Sequence, residues 1–259
     1  MSLFALGLFF AIGLRGDSRT HANAEGGLHS LSSPPPIVLW AWEEPEDLRS
    51  ADPQSIGVAF LAERLFVGKD VTAVPRHQRI LVPDSIWAEA VVRVEADNNF
   101  RDSEANRLAT ADDVLRVARL PGIRGVEVDF DATPPQRSFY TEVLRKVRRA
   151  LPPAERLEIT ALVSWCSQPQ GWLRTLPVDN AVPMYFRLGD HVGFWTVREP
   201  LCANAVGIST DEPEIQVSAL ASTSPDHRTI YLFSPRPWTV DQLAGLNQGH
   251  IPRDTRGAR

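Results

Sequence analysis

Cysteine and lysine are scarce in this sequence of 259 residues, and several familiar catalytic signatures are missing. Two cysteines exclude a disulfide-rich scaffold and a four-cysteine zinc site. They leave at most one bridge, Cys166–Cys202, with two unrelated thiols as the other reading. Only Lys69 and Lys146 are lysine among 27 basic residues, against 32 acidic ones, for a net charge of −5. That balance argues against nucleic acid and anionic membrane as bulk partners. The histidines (His21, His29, His77, His191, His227, His250) show neither HExxH nor other ligand spacing, so no metal is expected. A GxSxG elbow, a Walker loop, a GxGxxG and an internal repeat are all absent, and no cofactor is expected.

A run long enough to span a bilayer, ~20 apolar residues, is absent too. Leu3–Leu14 is apolar but shorter, and Ala22-Asn23-Ala24 fits the small-x-small cleavage pattern. Together they predict a secretory signal peptide over 1–24, although no Lys or Arg precedes the run. A buried helix or an uncleaved anchor is the alternative, and only an uncleaved anchor would make this an integral membrane protein. Export implies a periplasmic or secreted protein, where a disulfide can form. Residues 25–36, rich in Gly, Ser and Pro, read as a flexible lead-in, and 247–259 as a disordered tail.

Between them, over 37–246, short apolar runs recur: Ile37–Trp42, Ile56–Leu61, Val91–Ala96, Gly125–Phe130, Leu157–Val163, Ala181–Phe186, Ala205–Ser209 and Thr229–Phe233. Each is rich in β-branched residues and bounded by polar or turn residues, so each predicts a strand. Helical patterns fall between several of them. One opens at Thr110, read as an N-cap with Asp113 as its capping-box partner; a second runs from Pro135 to Leu151; Asp241–Leu246 gives a short last one. Alternation of strands and helices implies a parallel sheet, and about eight strands imply a single (β/α)8-type (TIM) barrel. Short late connections and the irregular stretch Arg187–Cys202 suggest a trimmed or distorted one, with Val71–Val82 as a hairpin-like insertion. A doubly wound open sheet is the runner-up.

The chemistry concentrates in Gly125-Val126-Glu127-Val128-Asp129-Phe130-Asp131. Strand alternation puts the apolar residues on one face and Glu127, Asp129 and Asp131 on the other. The preceding strand does the same with Arg93, Glu95 and Asp97. Barrel interiors are normally filled by branched apolar side chains, so acidic inner faces are either paired or functional. Arg93 and Glu127 are the candidate structural pair, with Arg93 neutralising Glu127 or Glu95. Asp129 and Asp131 lie where barrel enzymes keep their sites, and crowded carboxylates push one pKa up, which makes a general acid. Asp211 and Glu212, after the seventh strand, are the candidate partners across a glycosidic bond. Glu43, Glu44 and Glu63 follow other strands, and Glu63 and Glu95 are candidate ligand contacts. Trp40, Trp42, Trp165, Tyr185 and Trp238 collect at strand ends, where rings can stack on sugars, although each is equally a core or rim residue. Arg187 and Arg236 could bind an acidic group.

The segments Val38–Glu43, Gly57–Glu63, Val128–Ala132, Ile159–Cys166, Ala181–Met184, Gly207–Pro213 and Pro235–Trp238 resemble a bacterial family designated domain of unknown function 3142. The resemblance covers most of 37–238 and implies an exported bacterial protein without an assigned activity. A more distant likeness is to chitinase-type glycosidases, which carry alternating acidic residues on the fourth barrel strand, ending in a catalytic Glu. Glu127, Asp129 and Asp131 reproduce the spacing, but Asp131 stands where Glu is the rule, or Thr133 in the other register; Met184-Tyr185 also matches.

Two readings follow. The first is a glycosidase-like barrel hydrolysing a polysaccharide, with Asp131 as proton donor, Asp129 tuning it, and Asp211 or Glu212 as partner. Trp42, Trp165, Tyr185, Arg187, Trp238, Glu63 and Glu95 would hold the carbohydrate. The second is a non-catalytic glycan-binding or assembly protein on a degenerate glycosidase barrel. A scaffold without ligand is a third.

Overall fold

The computed structural model describes residues 33–168, 171–188, 196–212 and 228–252. The expected signal peptide, most of the lead-in and the end of the tail lie outside the described residues.

Eight parallel strands form the body: β1 (Ile37–Ala41), β2 (Ile56–Val67), β3 (Trp87–Ala96), β4 (Gly125–Asp129), β5 (Arg156–Leu162), β6 (Asn180–Met184), β7 (Ala205–Ser209) and β8 (Thr229–Phe233). Each pairs with the next, and β1 pairs with both β8 and β2, so the sheet closes into a TIM-type barrel. The expected fold class is what the chain forms, and the open sheet is not. Where the sequence predicts a hairpin-like insertion, Val71–Pro75 folds back antiparallel onto β2, and Ile80–Leu81 pairs with Glu46–Asp47.

Helix α1 (Glu104–Ala118) joins β3 to β4, and α2 (Arg137–Ala150) joins β4 to β5. The first starts about two turns earlier than the sequence suggests. Ser103 is its N-cap, accepting the Asn106 N–H at 3.2 Å, while Thr110 is buried mid-helix. The buried face of α2 is Phe139, Tyr140, Val143, Leu144 and Val147, the 3.6-residue spacing of an amphipathic helix. Tyr140 also donates its hydroxyl to the Val128 carbonyl at 3.0 Å, tying helix to strand. Helix α3 (Val240–Asn247) follows β8, closed by a Thr239/Gln242 capping box.

The core has two layers. The outer one lies between strands and helices and contains Val92, Val128, Ile159 and the α2 face. The inner one fills the barrel with Val38, Trp40, Ala59, Trp87, Val91, Val182, Ala205 and Tyr231. Trp40 crosses the barrel toward β7. A Cβ on Gly207 would come within 2.7 Å of its ring, so a side chain there would displace the indole.

One irregularity shapes the site. Between β2 and β3 the register steps from Leu61↔Val91 to Glu63↔Val92, leaving Ala62 unpaired as a β-bulge. Before it Ala59 faces the barrel interior; after it Arg64 lies level with Arg93, and Phe66 level with Glu95. A bulge shifts alternation by one residue and re-aims every later side chain.

Candidate ligand site at the barrel mouth

Ligand sites of such barrels lie at the C-terminal ends of the strands. A cavity of about 380 Å³ opens there. A larger one of about 630 Å³, lined by Pro34, Arg156, Asn180 and Arg228, sits at the opposite mouth. The smaller is the candidate, because it gathers aromatic rings and charged groups together.

Its floor is Trp40. The Trp40 indole Nε1–H donates to Glu127 Oε2 at 3.0 Å. One wall, from β2 to β5, is an ion-pair network. Arg93 donates to Asp129 at 2.6 Å and to Asp131 at 3.3 Å, and approaches Glu95 at 4.0 Å. Arg64 bonds Glu43 at 2.6 Å and Glu95 at 2.7 Å. Thr160 donates to the second Asp129 oxygen at 2.7 Å. Asp129 is buried with both oxygens engaged. Asp131, just past β4, is 43% exposed. Partial withdrawal from water and the neighbouring Asp129 push its pKa above the usual aspartate range, and Arg93 pulls the other way.

The facing wall, from β6 and β8 with Trp42, is aromatic: Trp42, Met184, Phe186 and Phe233 line it, with Arg187 at the rim. Phe186 and Phe233 are stacked, centroids 5.5 Å apart and planes 8° from parallel. Arg187 lies over the Phe233 ring at 5.3 Å.

Beneath the floor the acidic inner faces continue. Glu89, Glu127 and Glu158 are fully buried inside the barrel. Glu158 is bonded by Arg156 and by the Asn180 amide at 3.1 Å. The Tyr231 hydroxyl lies 3.0 Å from Glu158 and 3.2 Å from Glu89. One hydroxyl proton serves only one of these two acceptors at a time. Burial, then Glu158 and Glu127, raises the pKa of Glu89 well above the ordinary value. Burial also raises Glu127, opposed by the Trp40 hydrogen bond.

Of the candidate residues, Trp42, Glu95, Asp129 and Arg187 line the cavity together with Arg93, and Asp131 joins through Arg93. Asp211 bonds the Ser209 hydroxyl, and Glu212 accepts the Arg187 main-chain N–H; neither lines the cavity. Glu63 points the other way. The Ala62 bulge turns it outward, where it is buried against Arg116 of α1. Trp165, Tyr185 and Trp238 belong to the outer core and not to the cavity. Trp165 packs edge-on to Trp172 at 5.2 Å, and the Trp238 main-chain N–H bonds Glu46 at 3.0 Å. Tyr185 follows inward-facing Met184 and so faces out. Arg93 does not neutralise Glu127; it sits one layer higher, on Asp129 and Asp131. Cys166 and Cys202 are disulfide-bonded, joining the helical turn Val163–Cys166 after β5 to the turn before β7.

The sequence reading missed Arg64, Thr160, Phe186 and Phe233 as wall residues. Alternation from Thr160 through Glu158 and from Phe233 through Tyr231 marks two of them. Arg64 is hidden by the bulge. Among the described residues, no three His, Cys, Asp or Glu side chains converge as a metal ion requires.

No family model and no curated protein matches the chain. Among solved structures it is similar to a candidate chitinase A from Streptomyces coelicolor, at 14% identity and a TM-score of 0.56, covering 84% of this chain and 96% of that one. It also matches the Bacillus cereus spore cortex-lytic enzyme SleL, at 15% identity and a TM-score of 0.42, over 85% of this chain and 60% of that one. At these identities the first likeness is one of fold: both chains are TIM-type barrels.

Proposed function

We propose that this is an exported glycan-binding protein that holds an oligosaccharide at the C-terminal mouth of the barrel without cleaving it. The observation that carries this reading is the make-up of the two walls. Trp42, Phe186 and Phe233 offer apolar faces of the kind that stack on sugar rings. Opposite them, the carboxylates Glu43, Glu95 and Asp129 are each already bonded to an arginine. Such a wall can hydrogen-bond hydroxyls. Among the described residues lining the cavity, it leaves no carboxylate unpaired to act as base or nucleophile. The likeness to a chitinase-type fold supports a carbohydrate as ligand. Export is supported by the Cys166–Cys202 bond, since such bonds persist in oxidising compartments. No helix among the described residues is long and apolar enough to cross a membrane.

A second reading, hydrolysis, is favoured by Asp131. Its raised pKa, beside Asp129 and on Arg93, suits a proton donor to a glycosidic oxygen. Calorimetric titration with an oligosaccharide panel, followed by chromatography of each mixture, separates the two. Saturable binding with intact oligosaccharide supports the proposal. Cleavage that disappears in Asp131→Asn would replace it by the second reading, and absence of binding to the whole panel would remove both.

A further inference from the structure

Resting on the glycan-binding reading, we propose that Arg187 makes the site selective for a carboxylated glycan, one containing uronic acid, by pairing its guanidinium with the sugar carboxylate. The first observation is local geometry. Phe186 and Arg187 are consecutive, yet both line the cavity, which regular strand alternation forbids. Arg187 achieves this with φ of +55°, the one positive φ outside glycine among the described residues. Side chains rarely take that conformation, and strain of this kind collects at functional positions. Glycine would sit there without strain, and this chain carries an arginine instead.

The second observation is how the residue is held. Glu212 takes its main-chain N–H with both carboxylate oxygens, at 2.9 and 3.1 Å, so the left-handed turn is clamped. The guanidinium lies over Phe233, which is itself stacked on Phe186. A guanidinium held over a ring face makes no hydrogen bond to it and keeps its N–H groups for a planar carboxylate, which they can meet through paired hydrogen bonds.

The third is charge. Arg64 is matched by Glu43 and Glu95, and Arg93 by Asp129 and Asp131. Arg187 makes no ion pair among the described residues. Glu212 is spent on the main chain, and Asp211 on the Ser209 hydroxyl. Among the described residues its charge has no ion-pair partner, and it stands on the aromatic wall, across the barrel from the ion-pair network. A sugar stacked on that wall would direct its carboxylate to Arg187 and its hydroxyls to Arg93, Glu95 and Asp129.

The test is an array of uronate-containing polysaccharides beside their carboxyl-reduced, neutral forms, and sulfated polysaccharides, probed with the wild-type chain, Arg187→Gln and Arg187→Gly. Arg187→Gly relieves the strained conformation, so its thermal stability should equal or exceed that of the wild type. The expected result is a preference of about tenfold or more for at least one uronate polymer over its reduced form. That preference should weaken with salt and vanish in both variants. Equal binding of a polymer and its reduced form, binding of sulfated polymers alone, or a preference that survives in Arg187→Gln would overturn the inference while leaving the glycan-binding reading intact. No binding by the wild type to any polymer, charged or neutral, would overturn both.

Discussion

Replacing Glu127 by Gln should flatten this fold's dependence on pH and favour the variant increasingly as pH rises. Glu127 is fully buried; Oε2 accepts the Trp40 indole N–H, and Oε1 has no partner among the described residues. Burial is the first cause of its raised pKa, and Glu158 and Asp129 add to it. The unfolded chain gives up this proton near 4.5, whereas the folded one keeps it to a higher pH. The protonated form's contribution is therefore complete below pH 4.5 and is lost as pH rises toward the folded value. Across that window the native state holds one extra proton, which costs about 1.4 kcal/mol per pH unit. Glutamine keeps a carbonyl oxygen for Trp40 and has nothing to titrate; its amide takes the place of Oε1, which has no partner among the described residues, at a cost of about 1–3 kcal/mol that does not vary with pH. The variant's stability relative to the wild type should therefore rise with pH above 4.5, by up to about 1.4 kcal/mol per pH unit. Urea denaturation of both proteins from pH 4 to pH 8 measures it. Curves that run parallel from pH 4 to pH 8 would refute the raised pKa of Glu127.

Three further outcomes are expected. The Cys166–Cys202 bond spans 36 residues, and the chain-entropy relation puts its contribution at about 4 kcal/mol. The Cys166→Ala/Cys202→Ala variant, or reductant, should lower the midpoint of denaturation accordingly, and an unchanged midpoint would count against the bond. Arg93→Met leaves the buried Asp129 without its cation and should cost about 3–5 kcal/mol, with Asp129→Asn restoring part of the loss; full stability in Arg93→Met would show the pair to be dispensable. Glu46 is buried under the Trp238 main-chain N–H, and burial raises its pKa to about 7. Its contribution, full below pH 4.5, is lost as pH rises through about 7, so Glu46→Gln should gain stability over the wild type above pH 7 and not below pH 4.5. A difference that does not grow with pH between those limits would contradict this.

The barrel was legible because each strand is a short apolar run with turn residues on both sides, and parallel strands alternating with helices close in few ways. The acidic inner faces were legible for the same reason: Glu127 and Asp129 keep strict alternation with Val126 and Val128. The misplaced residues sit where alternation breaks. Glu63 reads as inward by counting from Ala59, and the unpaired Ala62 reverses it and brings Arg64 into the cavity. Tyr185 stood out as a chemically interesting ring, but Val182 and Met184 already fix the inward parity of β6, so Phe186 takes the place assigned to it. Trp165 and Trp238 lie beyond strand ends, in turns whose direction no periodicity encodes, and they pack outward. Glu212 looked like a catalytic partner because charge is visible in sequence, whereas its hold on the Arg187 main chain depends on a left-handed turn that no residue type there announces.

The most direct test of a ligand site at the barrel mouth is tryptophan fluorescence during oligosaccharide titration of the wild type and Trp42→Ala. Trp42 lines the cavity and is only partly buried, so stacking of a sugar should change its emission. A saturable change in the wild type, with affinity reduced about tenfold or more in Trp42→Ala as judged by calorimetry, is the expected result. Saturable binding that Trp42→Ala leaves at full strength would contradict the site, and no saturable change with any oligosaccharide would contradict the function.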